Sequence, residues 1–149
     1  MVGRYTKIIR IERIENKRWY LQYVAHKQEF QKRLGKDTER ILYHGCDEQA
    51  ANRIIMKGFS RSFAGRHGTA WGHGVYFSSL ANYSDGFASP NDRGEKRMFL
   101  AQVLIGEKTL GQSSMKVPPA GFDSTTNGHH IFVIYHDAQA YGIYLIIYK

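Results

Sequence analysis

The sequence predicts an α+β fold in a single domain, residues 1–149. Three observations support this prediction. The chain is 149 residues long with 42% hydrophobic residues, which suits one hydrophobic core of ordinary size. Helix-type periodicity occurs in the first sixty residues, whereas short strand-like runs dominate after residue 74. Helices that come first, followed by a mostly antiparallel set of strands, are typical of the α+β class.

The first two elements are a strand and a long helix. Residues 6–14 alternate apolar and charged side chains around Ile9 and Ile11, which predicts a half-buried strand. Asn16 is expected to cap a helix that runs to about Leu34, and Gly35 is its expected stop. The residues predicted to share the buried face of this helix are Tyr20, Leu21, Val24 and Phe30.

The next part of the chain predicts a short strand, a second helix and a long loop. Residues 40–44 (RILYH) are typical of a buried strand, and Asp47 is expected to cap a helix over residues 48–57 that Gly58 ends. Residues 58–74 hold five glycines without a regular period, and a loop of this length inside a compact domain is usually functional. Strands are expected at 75–77, 98–105, 131–136 and 140–148, with a tight turn at 127–128.

Composition excludes several classes of function. A single cysteine allows no internal disulfide and no Cys-paired zinc site, and no histidine and carboxylate set has ligand spacing, so no metal is expected. Apolar runs are far shorter than the ~20 residues of a membrane helix, and no secretory signal is present. We therefore expect no membrane partner and a location in the cytoplasm, the nucleus or both.

The charge is +8, and residues 1–40 hold 11 basic and 5 acidic side chains. This regional excess favours anionic partners, RNA among them, although a solvated basic helix face would have the same composition.

Several blocks of the sequence closely resemble the catalytic domain of the poly(ADP-ribose) polymerase family. They occur in the order and spacing of that family, and the resemblance extends over roughly residues 5–149. The blocks include ILYHGC (41–46), WGHGVYFSS (71–79), MFLAQVLIGE (98–107), VPPAGFDST (117–125) and IFVIYHDAQAYGIYLIIY (131–148). The resemblance implies an ADP-ribosyltransferase fold, a split antiparallel β-sandwich with flanking helices around a cleft for NAD. It also implies NAD as a substrate that loses nicotinamide and donates ADP-ribose to an acceptor.

The resemblance assigns roles in NAD binding to four residues. The backbone of Gly45 would bind the nicotinamide carboxamide, and Ser84, eight positions after Tyr76, would donate its hydroxyl to the same group. Tyr76 would stack on the nicotinamide ring, and His44 would bind the adenosine ribose. A side chain at position 45 is expected to block NAD while leaving the fold intact.

Further residues are assigned to the same cleft. Phe87 stands where many members of the family have a second stacking tyrosine, and Tyr83 is the alternative for that ring. Cys46, next to the glycine, would reach the adenosine ribose. Arg61 and Arg66, in the glycine-rich loop, are candidates for contacts with the diphosphate.

The product is expected to follow from Ile131, which stands where chain-elongating members carry a glutamate. A sugar hydroxyl needs a base before it can attack, and isoleucine has none. The combination of His44, Tyr76 and Ile131 therefore resembles the mono-ADP-ribosyltransferase branch, with a protein side chain as the expected acceptor. Two alternatives remain open: a protein that binds NAD without transfer, and an enzyme that modifies the terminal phosphate of RNA.

Overall fold

The computed structural model describes residues 7–60 and 69–149. In this part of the chain, eight strands form one sheet, and three α-helices accompany it. The elements in chain order are β1 (Ile8–Arg13), α1 (Lys17–Leu34), β2 (Glu39–Cys46), α2 (Glu48–Lys57), β3 (Val75–Ser78), α3 (Ala81–Asp85), β4 (Lys96–Leu104), β5 (Lys108–Leu110), β6 (Ser124–Thr126), β7 (Ile131–Ile134), a 3-10 helix (Asp137–Gln139) and β8 (Ala140–Tyr148). The predicted α+β class is confirmed.

The sheet is split in its middle. Its strand order is β1-β8-β4-β2-β3-β7-β6-β5, and every neighbouring pair is antiparallel except β5 and β6. Strand β2 pairs with β4 along its whole length but meets β3 only at Tyr43 and Ser78. A single residue pair does not keep two strands side by side along their whole length. The two halves of the sheet therefore diverge on either side of the Tyr43–Ser78 pair. This is the split arrangement that the resemblance implied.

Both long helices begin and end where the sequence predicts. The Asn16 side chain accepts a hydrogen bond from the backbone N–H of Trp19, and Gly35 ends α1 with φ of 68°. The Asp47 side chain accepts from the N–H of Ala50, and Gly58 ends α2 with φ of 75°. Local capping chemistry therefore determines these boundaries.

The predicted buried face of α1 is confirmed at Phe30 and wrong at Tyr20 and Leu21. Tyr20 and Leu21 are 43% and 56% exposed, whereas Tyr23 and Phe30 are buried against Leu104 of the sheet. The Tyr23 hydroxyl donates a hydrogen bond to the carboxylate of Glu39. This bond allows the polar end of the tyrosine side chain to be buried, although the sequence does not predict that Tyr23 is on the buried face. Because α1 has apolar residues on more than one side, only the packing partner determines which side is buried.

Short elements were also missed. Helix α3 and the three-residue strands β5 and β6 had no counterpart among the predictions, and the strand expected over 131–136 ends at Ile134. Elements of three to five residues are too short for a periodic pattern, so only their tertiary pairing defines them.

The main core lies where α2 and the segment after it pack against the sheet. Large, fully buried members of this core come from five strands and from the residue that follows Gly58. They are Leu42, Phe59, Phe77, Phe99, Phe132 and Ile147. The core thus spans both halves of the split sheet and holds them together where backbone pairing is nearly absent.

Tertiary contacts hold α3 in place. Its first turn has no side-chain cap, and the helix is only five residues long. At its end, Asp85 accepts a hydrogen bond of 2.6 Å from the hydroxyl of Tyr148, which is completely buried, and lies 3.4 Å from Lys96 Nζ. Burial and this carboxylate raise the pKa of Tyr148, so its hydroxyl remains a donor. The pair anchors α3 to β8.

Replacement of Tyr148 by phenylalanine should lower the free energy of unfolding by about 1–3 kcal/mol, because the buried carboxylate of Asp85 loses the nearer of its two side-chain donors. Tyr144→Phe, at a 38% exposed position of the same strand, is the matched control and should change stability by less than about 0.5 kcal/mol. Urea denaturation measures both. Equal stability of the two variants would contradict the anchoring role.

Candidate active site

His44 joins the two halves of the sheet at the split. Its Nδ1 lies 2.7 Å from the carbonyl oxygen of Tyr76, beside the single backbone pair between β2 and β3. The ring also packs edge-on against Phe59, with 5.2 Å between ring centroids, and contacts Phe77. The imidazole therefore acts as a cross-strand link where the backbone ladder has ended, and it brings two of the predicted site residues together.

Gly45 and Ser84 are in direct contact. A Cβ atom built on Gly45 would lie 1.9 Å from the backbone oxygen of Ser84, far inside any allowed separation. The Ser84 hydroxyl donates a 3.2 Å hydrogen bond to the carbonyl of Tyr43 and is almost fully buried. Helix α3 thus sits directly on the β2 backbone, at a distance that only glycine allows.

This contact corrects one expectation. A side chain at position 45 does not simply protrude into an open cleft, because it would collide with the backbone of α3. Backbone atoms cannot turn aside as the end of a flexible side chain can. A substitution at Gly45 would therefore displace Ser84 and the helix that carries it.

An aromatic cluster covers one face of the neighbouring strands β3 and β7. Tyr76 pairs with Val133, and Ser78 pairs with Ile131. Because side chains alternate along a strand, these residues lie on the face opposite to the core phenylalanines. The members of this aromatic cluster are Ile131, Val133 and Tyr135, with Trp71, Tyr76 and Tyr83 packed against them.

The Tyr76 ring has a fixed position. Its hydroxyl donates to the carbonyl of Gly72 (2.9 Å) and accepts from the N–H of Trp71 (2.8 Å). Burial raises the pKa of Tyr76, so the side chain is neutral at physiological pH. A ring held at its far end in this way offers a rigid face to a planar ligand.

The two candidates for the second stacking ring are in contact with each other. Tyr83 and Phe87 meet edge to face with 5.2 Å between centroids, and Tyr83 also packs in the aromatic cluster with Ile131. Burial raises the pKa of Tyr83, which keeps its hydroxyl neutral. Stacking by either ring on the nicotinamide stays a prediction.

The sequence analysis missed His130 as a member of the site. Its Nδ1 lies 2.9 Å from the Ser78 hydroxyl, and its ring meets Tyr83 edge-on at 5.1 Å. The sequence analysis considers histidines outside the resemblance only as metal ligands. The position of His130 directly before Ile131 is the sequence feature that could have indicated its place in the site.

One predicted site residue, Cys46, lies apart from this arrangement. Cys46 is 3% exposed and packs in the main core, and burial raises its pKa to about 12, so the thiol is not ionised at neutral pH. Its contact with the adenosine ribose stays a prediction. Arg61 and Arg66 lie outside the described residues.

Residues 7–60 and 69–149 contain neither a metal-binding cluster nor a membrane-spanning helix. No group of three or more histidine, cysteine, aspartate or glutamate side chains there could hold a metal ion. In the same ranges, no helix is long and apolar enough to cross a membrane.

Comparison with known proteins identifies relatives of this chain. A family model described as the poly(ADP-ribose) polymerase catalytic domain matches residues 3–129. Among curated proteins, the chain is 38% identical to protein mono-ADP-ribosyltransferase PARP10 of Mus musculus over 96% of its length. It is 36% identical to PARP14 and PARP12 of Homo sapiens, which carry the same description, over 96% and 93% of its length.

The chain spans only 16%, 9% and 21% of the lengths of these three relatives, so the likeness concerns one region of each. The family model nevertheless covers most of this chain, and the relatives align along nearly all of it. The chain therefore belongs to the poly(ADP-ribose) polymerase catalytic domain family.

Proposed function

We propose that this chain is an NAD-dependent mono-ADP-ribosyltransferase that modifies protein side chains. It would break the bond between ribose C1′ and nicotinamide, release nicotinamide and transfer one ADP-ribose unit. The proposal rests on two neighbouring features, the Gly45–Ser84 contact and the aromatic cluster around Tyr76 and Ile131. The descriptions of PARP10, PARP14 and PARP12 as mono-ADP-ribosyltransferases support it.

The Gly45–Ser84 contact suits the nicotinamide carboxamide. The Ser84 hydroxyl already donates to a backbone carbonyl of β2, so it can turn to another carbonyl oxygen nearby. Because Gly45 has no side chain, α3 lies close to β2, and Ser84 is held next to the β2 backbone that would bind the carboxamide. Among the described residues, β3 pairs with β2 only at Tyr43, so beyond this pair no strand of that half covers the β2 edge.

The face of Tyr76 suits the nicotinamide ring. In NAD this ring is a cation, and the negative face of an aromatic side chain attracts a cation stacked on it. The hydrogen bonds to Trp71 and Gly72 hold the Tyr76 ring in place before the ligand binds. The side chain therefore loses little conformational entropy when the nicotinamide ring stacks on it. When the C1′–N bond breaks, the bonding electrons pass to the ring, and neutral nicotinamide leaves.

Ile131 limits the product to a single unit. It is 5% exposed and packs among Val133, Tyr135 and Tyr83, and it offers neither an acceptor for a ribose hydroxyl nor a base. Elongation requires a ribose hydroxyl as nucleophile, and such a hydroxyl needs a base. An acceptor group that is already ionised needs no base. A protein carboxylate therefore fits this site better than a sugar hydroxyl.

The charge distribution favours a protein acceptor over RNA. Several basic side chains between residues 7 and 40 form ion pairs, and two of them pair with acids beyond residue 40 that the count over residues 1–40 leaves out. These pairs are Arg10–Glu12, Lys27–Glu39, Arg33–Asp123 and Lys36–Glu107. RNA modification remains the second candidate, and a steep salt dependence of RNA affinity would favour it.

We also propose that the chain works in the cytoplasm, the nucleus or both. Its only cysteine is a free, buried thiol, which is usual in a reducing compartment.

Incubation with ³²P-labelled NAD should produce protein that carries single ADP-ribose units. Digestion with phosphodiesterase should then release AMP and no phosphoribosyl-AMP, because the latter comes only from polymer. A ladder on the gel, or phosphoribosyl-AMP in the digest, would contradict the role of Ile131. Binding of NAD without release of nicotinamide would favour the alternative of a protein that binds NAD without transfer.

Ser84→Ala should weaken the binding of benzamide, a mimic of nicotinamide, by about tenfold, which corresponds to the loss of one hydrogen bond. Ser89→Ala is the matched control, since Ser89 is exposed a few residues after the same helix. Isothermal titration calorimetry measures both affinities. Equal affinities would place the carboxamide elsewhere.

Gly45→Ala should abolish benzamide binding and also destabilise the fold, because the added Cβ displaces the backbone of Ser84. Gly94→Ala is the control for a glycine substitution: nothing lies within 4 Å of its Cβ position, although its φ of 75° adds some local strain. Thermal unfolding and calorimetry should show benzamide binding lost only in the first variant. An alanine at position 45 that leaves binding intact would refute the contact.

A further inference from the structure

We propose that His130 is a specificity-determining residue that binds the carboxylate of the acceptor side chain through its Nε2–H group. This proposal rests on the proposed function, because it names the acceptor class of the same site. It concerns a residue to which the sequence analysis assigns no part in binding nicotinamide.

The surroundings of His130 place its ring at the candidate site. The residue directly precedes Ile131, and its ring contacts Tyr83, which packs in the aromatic cluster. Its Nδ1 lies beside Ser78, which follows Tyr76 by two positions and so shares the cluster face of β3. The ring therefore lies against the same group of side chains as Ile131.

Hydrogen bonding assigns the ring proton to Nε2. The Ser78 hydroxyl is completely buried, and its oxygen accepts the backbone N–H of Leu80 at 3.0 Å. The hydroxyl proton then needs an acceptor, and Nδ1 of His130, at 2.9 Å, provides it. A neutral imidazole that accepts at Nδ1 carries its proton at Nε2. Ser78 thus holds the ring in the tautomer that presents an N–H donor.

The position of His130 suits an acceptor better than NAD. His130 is partly exposed, and the preceding residues Gly128 and His129 are exposed, so the ring stands at the rim of the site. A protein acceptor approaches from solvent and meets the rim. The side chain of Asn127 accepts the N–H groups of His129, His130 and Ile131 and thereby fixes the backbone of this turn.

The chemistry of the site suits a carboxylate acceptor. Ile131 cannot deprotonate an acceptor, so the site favours a nucleophile that is already ionised. A carboxylate accepts an N–H hydrogen bond with one oxygen and attacks ribose C1′ with the other. The new C–O bond forms as the bond to nicotinamide breaks, and no proton has to move.

Two variants separate the donor from the rest of the ring. His130→Asn keeps a short amide that can meet Ser78 but cannot reach the position of Nε2, so the donor is lost. His130→Gln is longer, and its amide N–H₂ can occupy the position of Nε2. His129→Asn is the matched control, because His129 is exposed and neighbours the same turn.

The assay uses the whole chain, NAD and a short synthetic peptide whose only nucleophilic side chain is a glutamate. We expect His130→Asn to raise the KM for the peptide about tenfold or more, as for loss of a hydrogen bond to a charged group. The KM for NAD should stay within about twofold. His130→Gln should restore the peptide KM to within about threefold of the wild type, and His129→Asn should match the wild type.

The outcomes distinguish this proposal from the proposed function. If the wild-type chain modifies the glutamate peptide and His130→Asn leaves its KM unchanged, the transferase function stands and the role of His130 is rejected. The role is also rejected if His130→Asn raises both KM values alike, or if His130→Gln fails to restore the peptide KM. If the wild-type chain transfers nothing from NAD, the proposed function fails and this proposal fails with it.

Discussion

Strands β2 and β3 share a single residue pair, Tyr43 with Ser78, and the sheet divides on either side of it. The side chain of His44 replaces the missing backbone bonds by reaching the carbonyl of Tyr76, while the core phenylalanines Phe77 and Phe99 pack beneath. The divergence frees the edge of β2 that the site needs. A continuous ladder here would be a more regular sheet, and it would leave no opening between the halves.

Next to this edge of β2, two backbones approach each other closely. Gly45 admits the carbonyl of Ser84 where any side chain would collide, and Asp85 is anchored from below by the buried Tyr148. A five-residue helix without a cap has little stability of its own, so these contacts must hold it. The hydroxyl of Ser84 is thus positioned by residues far away in the sequence, including one in the last strand.

The ion pairs of the folded chain change how the basic composition of residues 1–40 is interpreted. The basic excess of residues 1–40 suggests an anionic partner, yet Lys27, Arg33 and Lys36 each face an acidic side chain. Two of these acids, Asp123 and Glu107, belong to the second half of the chain. Exposed pairs of this kind contribute little stability, but they neutralise charge that a count along the sequence leaves unpaired.

The sequence by itself determined the elements whose signals are local: the caps of α1 and α2, the glycine stops at Gly35 and Gly58, and the resemblance blocks around His44, Tyr76 and Ile131. Tertiary structure alone decided which face of α1 is buried, where α3 sits, and that His130 meets Ser78 and Tyr83. The reason is physical. Capping and turn formation depend on neighbours within a few residues, whereas helix faces and site contacts depend on partners that only the folded chain brings close.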